Sequence, residues 1–434
     1  MIGPYYADQA CQMTSAGLPA CPTQATPKRT THPDQHAGLF IPDRKGGVTL
    51  LLGNDGGVFR QHVKKGSDLS ADGWGQGGFN VGFHTLLPYD AEMAKDGKTW
   101  FGLQDNGSGY IDPTTHYQYM AFGGDGFYTA VDPDNSNTAY SEYTYANMRV
   151  TTDGGQNWRD MGPIDAANAN TNSYQFANPF VMDPTNAAHL MTAGTDVFES
   201  TFGSDTQQMD PSDDVCLMDC WANVFDLSSG SDSSAQMSAL ALYGNNAYVG
   251  FCGPCDLLNH WDTGFVSGLA TNVGGTMPPS PMTSNGWHFA AAHGLPNRYI
   301  TDIAIDPNDP NTVFVTLGGY TNREWVPPHS YLDTNKNIGT GHVYMSTDHG
   351  ENFTDISGSL PNAPVFTIAV DGTQLVLGTK VGAFISSDLT GTAWSRLGHG
   401  LPNVPINNIE VKPGDQNTLV AATYGRGVYV YTFP

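Results

Sequence analysis

The sequence predicts an all-β fold of many short strands joined by tight turns, and three observations predict it. Glycine and proline, 51 and 28 of 434 residues, supply turn chemistry at a density high for a globular chain but below that of a disordered one. Aromatic residues at 11% provide for a packed core while charged residues stay at 14%. Apolar residues alternate or run in short blocks, with no sustained helical periodicity between them.

A repeat then organises the strands. One unit reads Tyr299–Pro307, a turn, Thr312–Gly318, a loop, and Gly341–Gly350. The same grammar returns as Phe366–Gly372, Gln374–Gly378 and Gly382–Asp388, and again as Ile406–Pro413, Thr418–Thr423 and Gly427–Tyr431. A Leu-Pro-Asn tripeptide precedes each of the three, at Leu295, Leu360 and Leu401. Traced backwards, the first-strand ending recurs at Ile41-Pro42-Asp43, weakly at Ala91–Ala94, at Val131-Asp132-Pro133, Met182-Asp183-Pro184 and Leu242-Tyr243-Gly244. Eight units between positions 43 and 412 give a mean spacing of about 53 residues, enough for four short strands and their turns. A sheet of that size cannot bury both faces alone, but sheets stacked around an axis bury them all. The expectation is a single β-propeller of eight four-stranded blades, or seven if the weak second unit is an insertion. It spans residues 32–434, with closure by Val428–Phe433 pairing near the first blade.

Charge and cysteine content bound the function. Eighteen basic against 42 acidic residues leave a net charge of −24, which repels phosphate backbones and argues against nucleic-acid binding. No stretch approaches the length of an apolar membrane span, so no membrane insertion is expected. The six cysteines fall in close pairs, Cys11 with Cys21, Cys216 with Cys220 and Cys252 with Cys255, which suits disulfides in an oxidising compartment. Residues 1–31 read as an irregular segment stapled by Cys11–Cys21. Cys252-Gly253-Pro254-Cys255 could also be a redox motif, but it opens into a loop where such a motif needs a helix, so a loop staple is expected. A zinc site from the four central cysteines lacks the repeated short knuckle. Met1-Ile2-Gly3-Pro4 begins no signal peptide, so an extracellular, secreted location rests on cysteines and composition, and the chain is either processed or part of a longer protein.

Three segments share a further pattern. Thr151-Thr152-Asp153-Gly154-Gly155-Gln156-Asn157-Trp158 fits the Asp-box, Ser/Thr-x-Asp-x-Gly-x-Thr/Asn-Trp; Ser346–Phe353 fits with phenylalanine last, and Ser386–Trp394 is one residue longer. Aspartate there accepts turn N–H groups, glycine supplies positive φ and the aromatic packs beneath. These aspartates lie between third and fourth strands, the turn face where propellers seldom carry chemistry, so they are expected to be structural.

Together with Asn54-Asp55-Gly56-Gly57-Val58-Phe59-Arg60, Leu103-Gln104-Asp105-Asn106-Gly107 and Gly123-Gly124-Asp125-Gly126, these boxes make residues 32–434 resemble the secreted bacterial BNR/Asp-box repeat, glycosyl-hydrolase-like propellers, related to xyloglucanases and sortilin-type propellers. The resemblance implies inverting carboxylate acid–base hydrolysis of a polysaccharide, with Asp55 in the position of a catalytic aspartate in a strand-two-to-three turn. The turn here is one residue shorter between the aspartate and the glycine pair. Xyloglucanases hold substrate between two propellers, so a second propeller or a longer chain is an expected partner. Sialidases also carry Asp-boxes, but their arginine triad has no counterpart among the nine arginines here, none of which sits in a Phe-Arg-Ile-Pro context.

In a four-stranded blade the strand-two-to-three turns and the links between blades share one face. Asp55, Asp105 and Asp125 fall there as candidate catalytic carboxylates, an inverting pair needing a raised acid and a base about 6.5–9.5 Å apart. Asp34 and His36 belong to the same face, as do Asp196, Asp256 and Asp262. Glu142, Tyr143, Tyr145, Tyr320, Trp325, Tyr424 and Arg426, with Trp261, are candidate substrate contacts, since sugar rings stack on aromatic side chains. No cofactor is expected; a structural calcium ion held by carboxylate and amide oxygens would be an extra. Two functions are open: a hydrolase, or a non-catalytic extracellular propeller whose rim binds a glycan or a protein.

Overall fold

A computed structural model describes residues 31–32, 34–69, 74, 85–163, 173–208, 220–230, 234–253, 255, 265–320 and 341–433. Among them, strands form eight antiparallel sheets, six of four strands and two of three. The first holds β1 (Gln35–Pro42), β2 (Val48–Asn54) and β3 (Gly57–Val63). The second holds β4 (Pro88–Met93), β5 (Thr99–Leu103), β6 (Gly107–Ile111) and β7 (Gln118–Phe122), and the third β8 (Thr129–Val131), β9 (Ala139–Glu142), β10 (Met148–Thr151) and β11 (Arg159–Asp160). The fourth is β12 (Phe180–Asp183), β13 (Asn186–Ala193), β14 (Asp196–Ser200) and β15 (Ala222–Asp226). The fifth is β16 (Gln236–Tyr243), β17 (Asn246–Gly253), β18 (Val266–Thr271) and β19 (His288–Phe289). The sixth is β20 (Ile300–Asp306), β21 (Asp309–Leu317), β22 (Val343–Ser346) and β23 (Thr354–Asp355). The seventh is β24 (Val365–Asp371), β25 (Gln374–Thr379), β26 (Gly382–Ser386) and β27 (Trp394–Arg396), and the eighth β28 (Ile406–Val411), β29 (Thr418–Thr423) and β30 (Gly427–Thr432). Each sheet corresponds to one repeat unit.

The fold is an all-β propeller. Innermost strands β4, β8, β12, β16, β20, β24 and β28 pack each against the next, and β28 packs back on β4. The weak unit around Ala91–Ala94 is therefore a full blade of the ring. Closure differs from the expected strand pairing: β30 pairs with β29, and β28 and β29 pack side by side against β4. Val420 and Ala422 share a core with Ala91, Met93, Phe101 and Leu103 across that seam. The sheet of β1–β3 has its own small core, Leu50, Leu52, Phe59 and Trp74, and β1 is exposed along its length. It reaches the ring at the 103–107 turn, through His32 Nε2 on the Asp105 carbonyl at 3.0 Å and Asn106 Nδ2 on the Asp55 carbonyl at 3.0 Å.

The seams between blades are built by a repeated device. A bulge interrupts β4, β20, β24 and β28 near their starts, and in the first three the residue after it bonds the following blade. Asp90 accepts the Thr129 N–H at 2.9 Å, Asp302 the Ile368 N–H at 2.8 Å, and Thr367 the Ile409 N–H at 3.3 Å. Innermost strands would otherwise leave these donors unpaired inside the ring. Two residues on, Glu92 accepts the Val131 N–H at 3.1 Å and Glu410 accepts from Asn408 at 3.1 Å.

Four carboxyl groups thus surround the axis. Burial raises Asp90 to about 6, Asp302 to about 7 and Glu410 to about 8, and pushes Glu92 well above its ordinary value, with their mutual charge adding to it. Their accessible surface remains partial for Glu92, Asp302 and Glu410, as expected of groups lining a narrow channel.

At the opposite turn face, Asp153 accepts the N–H groups of Gln156 and Asn157 at 2.9 Å and its own Thr151 hydroxyl at 2.9 Å. Asp348 accepts from Ser346 and Asn352 in the same way, and these bonds hold it down to about 2. Both carboxylates close their own turns. Cys252 and Cys255 form a disulfide at the end of β17, and Cys220 is also disulfide-bonded. Cys11, Cys21, Cys216, Asp256, Trp261, Asp262 and Trp325 lie outside the described residues. Among the described residues, no helix is long and apolar enough to cross a membrane.

Candidate functional site

The strand-two-to-three turns and blade links do share one face, and the structure gathers three of its aspartates at one corner. Asp105 occupies the β5–β6 turn with φ +61°, a left-handed conformation that aspartate tolerates better than most residues. Gly107 follows at φ +74°, and a Cβ there would overlap the Phe122 carbonyl, so only glycine lets this turn lie against the loop carrying Asp125. The loop in turn presents its carboxylate: Asp125 Oδ1 accepts the Asp105 N–H at 2.9 Å. Asp55, in the β2–β3 turn, sits on the far side, where Asn106 bonds its carbonyl and His36 Nε2 lies 2.5 Å from its Oδ1.

Electrostatics confirm the crowding. Burial raises Asp105 above the ordinary carboxylate range, the charges of Asp125, Asp55 and Asp34 raise it further, and His32 opposes them. Asp125 is raised by burial and by Asp34, against the lowering effect of the Asp105 N–H. A general acid needs such a raised group, but a general base needs a carboxylate turned to water. Asp125 is engaged by a backbone N–H and Asp55 by a histidine.

Aromatic side chains extend the corner. Tyr89 packs edge-on against Phe127 at 4.8 Å, Phe127 against Phe176 at 5.2 Å and Phe176 against Tyr145 at 5.4 Å, forming a continuous row. Tyr89 also donates to Gln104 at 2.8 Å, and its hydroxyl is raised by burial and by the charges of Tyr424, Asp105 and Asp125. Phe176 and Tyr424 are exposed. Tyr143 lies under Gly124, where a Cβ would come within 2.9 Å of its ring, and Arg149 stacks on it at 5.3 Å.

One expected contact is turned inward. Glu142 is fully buried at the end of β9, its Oε1 accepting the Ala146 N–H at 3.2 Å, and burial pushes it well above its usual value. It holds the turn in which Tyr145 and Ala146 both have positive φ, so it positions Tyr145 and does not face the rim. Tyr320 follows β21 in the sixth sheet. Arg426 is exposed in the β29–β30 turn and donates to the Gly425 carbonyl at 2.6 Å. Asp196 is raised by burial and accepts from Asn223 at 3.0 Å in the fourth sheet. Sequence reasoning missed Tyr89, at the start of the weakly marked β4, and Phe127 and Phe176, which occupy links between blades where no repeat marks them.

Fold and corner together define a β-propeller with an acidic, aromatic rim site. No family model matches the chain, and no curated protein matches it in sequence. Solved structures match it in shape. YCF48 bound to D1 peptide is 11% identical, over 81% of this chain and 94% of its own, with a TM-score of 0.50. YCF48 from Cyanidioschyzon merolae is 12% identical over 82% and 97%, with a TM-score of 0.49. The β-propeller domain of Cps50 (Swd1) from Myceliophteria thermophila is 12% identical over 81% and 97%, with a TM-score of 0.45. These neighbours are propellers, and at such identities the likeness concerns the fold alone.

Proposed function

We propose that this propeller is a binding module whose rim takes a basic segment of another polypeptide. The observation that carries the reading is the convergence of Asp105 and Asp125, with Asp55 behind them, beside exposed Phe176 and Tyr424. Crowded carboxylates favour a cationic group placed among them, and the aromatic row offers an apolar bed for its neighbours. A Lys or Arg side chain supplies both an alkyl stem and a charge. The net charge of −24 would steer such a partner in. The matched YCF48 structure holds a peptide, which supports a polypeptide over a glycan as the ligand class. The Cys252–Cys255 disulfide supports an oxidising, extracytoplasmic setting.

The test is fluorescence anisotropy against peptides of equal length that are basic, neutral or acidic, at low and high salt. Binding confined to basic peptides, weakened about tenfold by Asp105→Asn or Asp125→Asn and by added salt, is the expected result. Equal binding of acidic peptides would overturn it. So would release of reducing ends from a plant or bacterial polysaccharide that Asp105→Asn abolishes, which would restore the hydrolase suggested by the BNR-type resemblance.

A further inference from the structure

The face that carries the acidic corner also carries a hollow of opposite character, at the seventh sheet. This hollow, of about 390 Å³, lies between the β25–β26 turn, at Gly382 and Ala383, and residues 396–403, which lead from β27 toward β28. That volume falls within the range of small-molecule sites. In a chain with 42 acidic residues, no aspartate or glutamate lines it, while Arg396 and His399 do. Exposed Lys380 stands in the same β25–β26 turn.

The guanidinium is fixed and still has donors to offer. Arg396 Nη2 donates to the Val381 carbonyl at 3.1 Å and to Asn403 Oδ1 at 2.9 Å. A Cβ on Gly382, whose φ is +108°, would come within 3.1 Å of Nη2, so glycine lets the guanidinium lie close on the turn. Nε and Nη1 have no acceptor among the described residues, and the His399 ring has no hydrogen-bond partner among them. The link adds backbone donors. The N–H groups of Gly398, His399, Gly400 and Leu401 also have no acceptor among the described residues. Gly398 and Gly400 have φ of +82° and +90° and His399 between them does not, so the sign of φ alternates along the link. Such alternation belongs to the nest, in which successive N–H groups turn toward one anion.

We propose that this hollow binds a tetrahedral oxyanion, the phosphate or sulfate group of a small molecule. Arg396 on β27 and the N–H groups of the link bring donors from two directions, and together they outnumber the acceptor positions of a planar carboxylate. A phosphate or sulfate has oxygens on every side. Leu397, Leu401 and Pro402 in the lining give the organic remainder an apolar wall. The net charge of −24 repels anions at long range, so binding rests on these short contacts. This inference is independent of the peptide-binding reading, whose test rests on Asp105 and Asp125.

The experiment is calorimetric titration of the full chain with sodium phosphate, sodium sulfate and sodium acetate at constant ionic strength. One saturable site for phosphate or sulfate is expected, with acetate about tenfold weaker or more. Repeating the titration with phenyl phosphate and phenyl sulfate assigns the source, phosphorylated or sulfated, by the tighter of the two. Arg396→Gln should weaken binding about tenfold, and His399→Ala about threefold. Lys45→Gln, the same change of charge in the β1–β2 turn, should leave it unchanged. Because Arg396→Gln also removes two hydrogen bonds, unchanged circular dichroism is its folding control; His399→Ala removes none and carries the decision if the fold shifts. Absence of saturable binding, acetate as tight as phosphate and sulfate, or an affinity that neither Arg396→Gln nor His399→Ala lowers more than Lys45→Gln does, would overturn the site.

Discussion

The Asn407 side chain donates its amide to the Pro88 carbonyl at 2.9 Å, joining β28 to β4 across 319 residues of sequence. Apolar contacts of Val420 and Ala422 with Ala91 and Met93 share the seam, and the Gly425 and Gly427 N–H groups both donate to the Leu86 carbonyl at its edge, at 3.2 and 3.1 Å. Asn407→Ala removes the donor and leaves the Pro88 carbonyl short of a partner. A loss of about 1–2 kcal/mol is expected, read as a lower urea midpoint at unchanged slope. A midpoint equal to that of the parent protein would show that the seam holds without this bond.

The acids around the axis make a prediction about pH. Burial raises Glu410 from 4.5 to about 8, so the fold holds it neutral where the unfolded chain would ionise it. An acid with a raised folded pKa destabilises progressively as pH climbs from its unfolded value to its folded one. Glu410→Gln should therefore leave the melting temperature nearly unchanged at pH 4.5 and raise it at pH 8.5, by the equivalent of about 1–2 kcal/mol after allowance for water in the channel. Equal shifts at both pH values would refute the assignment. Asp302→Asn, which keeps an acceptor for Ile368, should behave alike over a slightly lower range, since Asp302 is raised to about 7.

His189 gives the opposite sign. It is buried between Asp183 Oδ2, 3.4 Å from its Nδ1, and Glu199 Oε2, 3.6 Å from its Nε2. Burial alone would lower its pKa, but the hydrogen bond and charge of Asp183 and the charge of Glu199 overcome that and raise it to about 9. A histidine raised in the fold contributes stability that is fully present below about 6.5 and lost as pH rises toward 9. His189→Gln should cost about 1–3 kcal/mol at pH 6 and clearly less at pH 9.5, measured by chemical denaturation. A cost that does not shrink between the two pH values would mean that the imidazole is neutral and acts by packing.

Much of this architecture was legible because it is local. The 300–306, 365–371 and 406–411 strands announce themselves by alternation and by the aspartate, glycine or proline that ends them. Even the faint Ala91–Ala94 signal marks a true blade, β4, since its apolar residues were sparse only because Asp90 and Glu92 face the axis. What alternation cannot encode is which sheet neighbours which. Ile41-Pro42-Asp43 reads as strongly as any unit, yet β28 packs on β4 and leaves that sheet to one side. The corner shows the same division. Asp105 and Asp125 were visible as turn residues; Glu142 has the same chemistry but is drawn inside by the Ala146 N–H it must satisfy. Phe176 carries no local signal, because its role depends on Phe127 from another link.

Among the described residues, the first sheet has a core of four side chains, and its hydrogen bonds to the ring fall at the 103–107 turn. Sub-structures with small private cores open on their own, at a lower free energy than the whole. Asp55 rides on that sheet, whereas Asp105 and Asp125 belong to the ring. The rim corner thus has walls of unequal strength, and whatever steadies the weaker wall governs how long a guest stays in it.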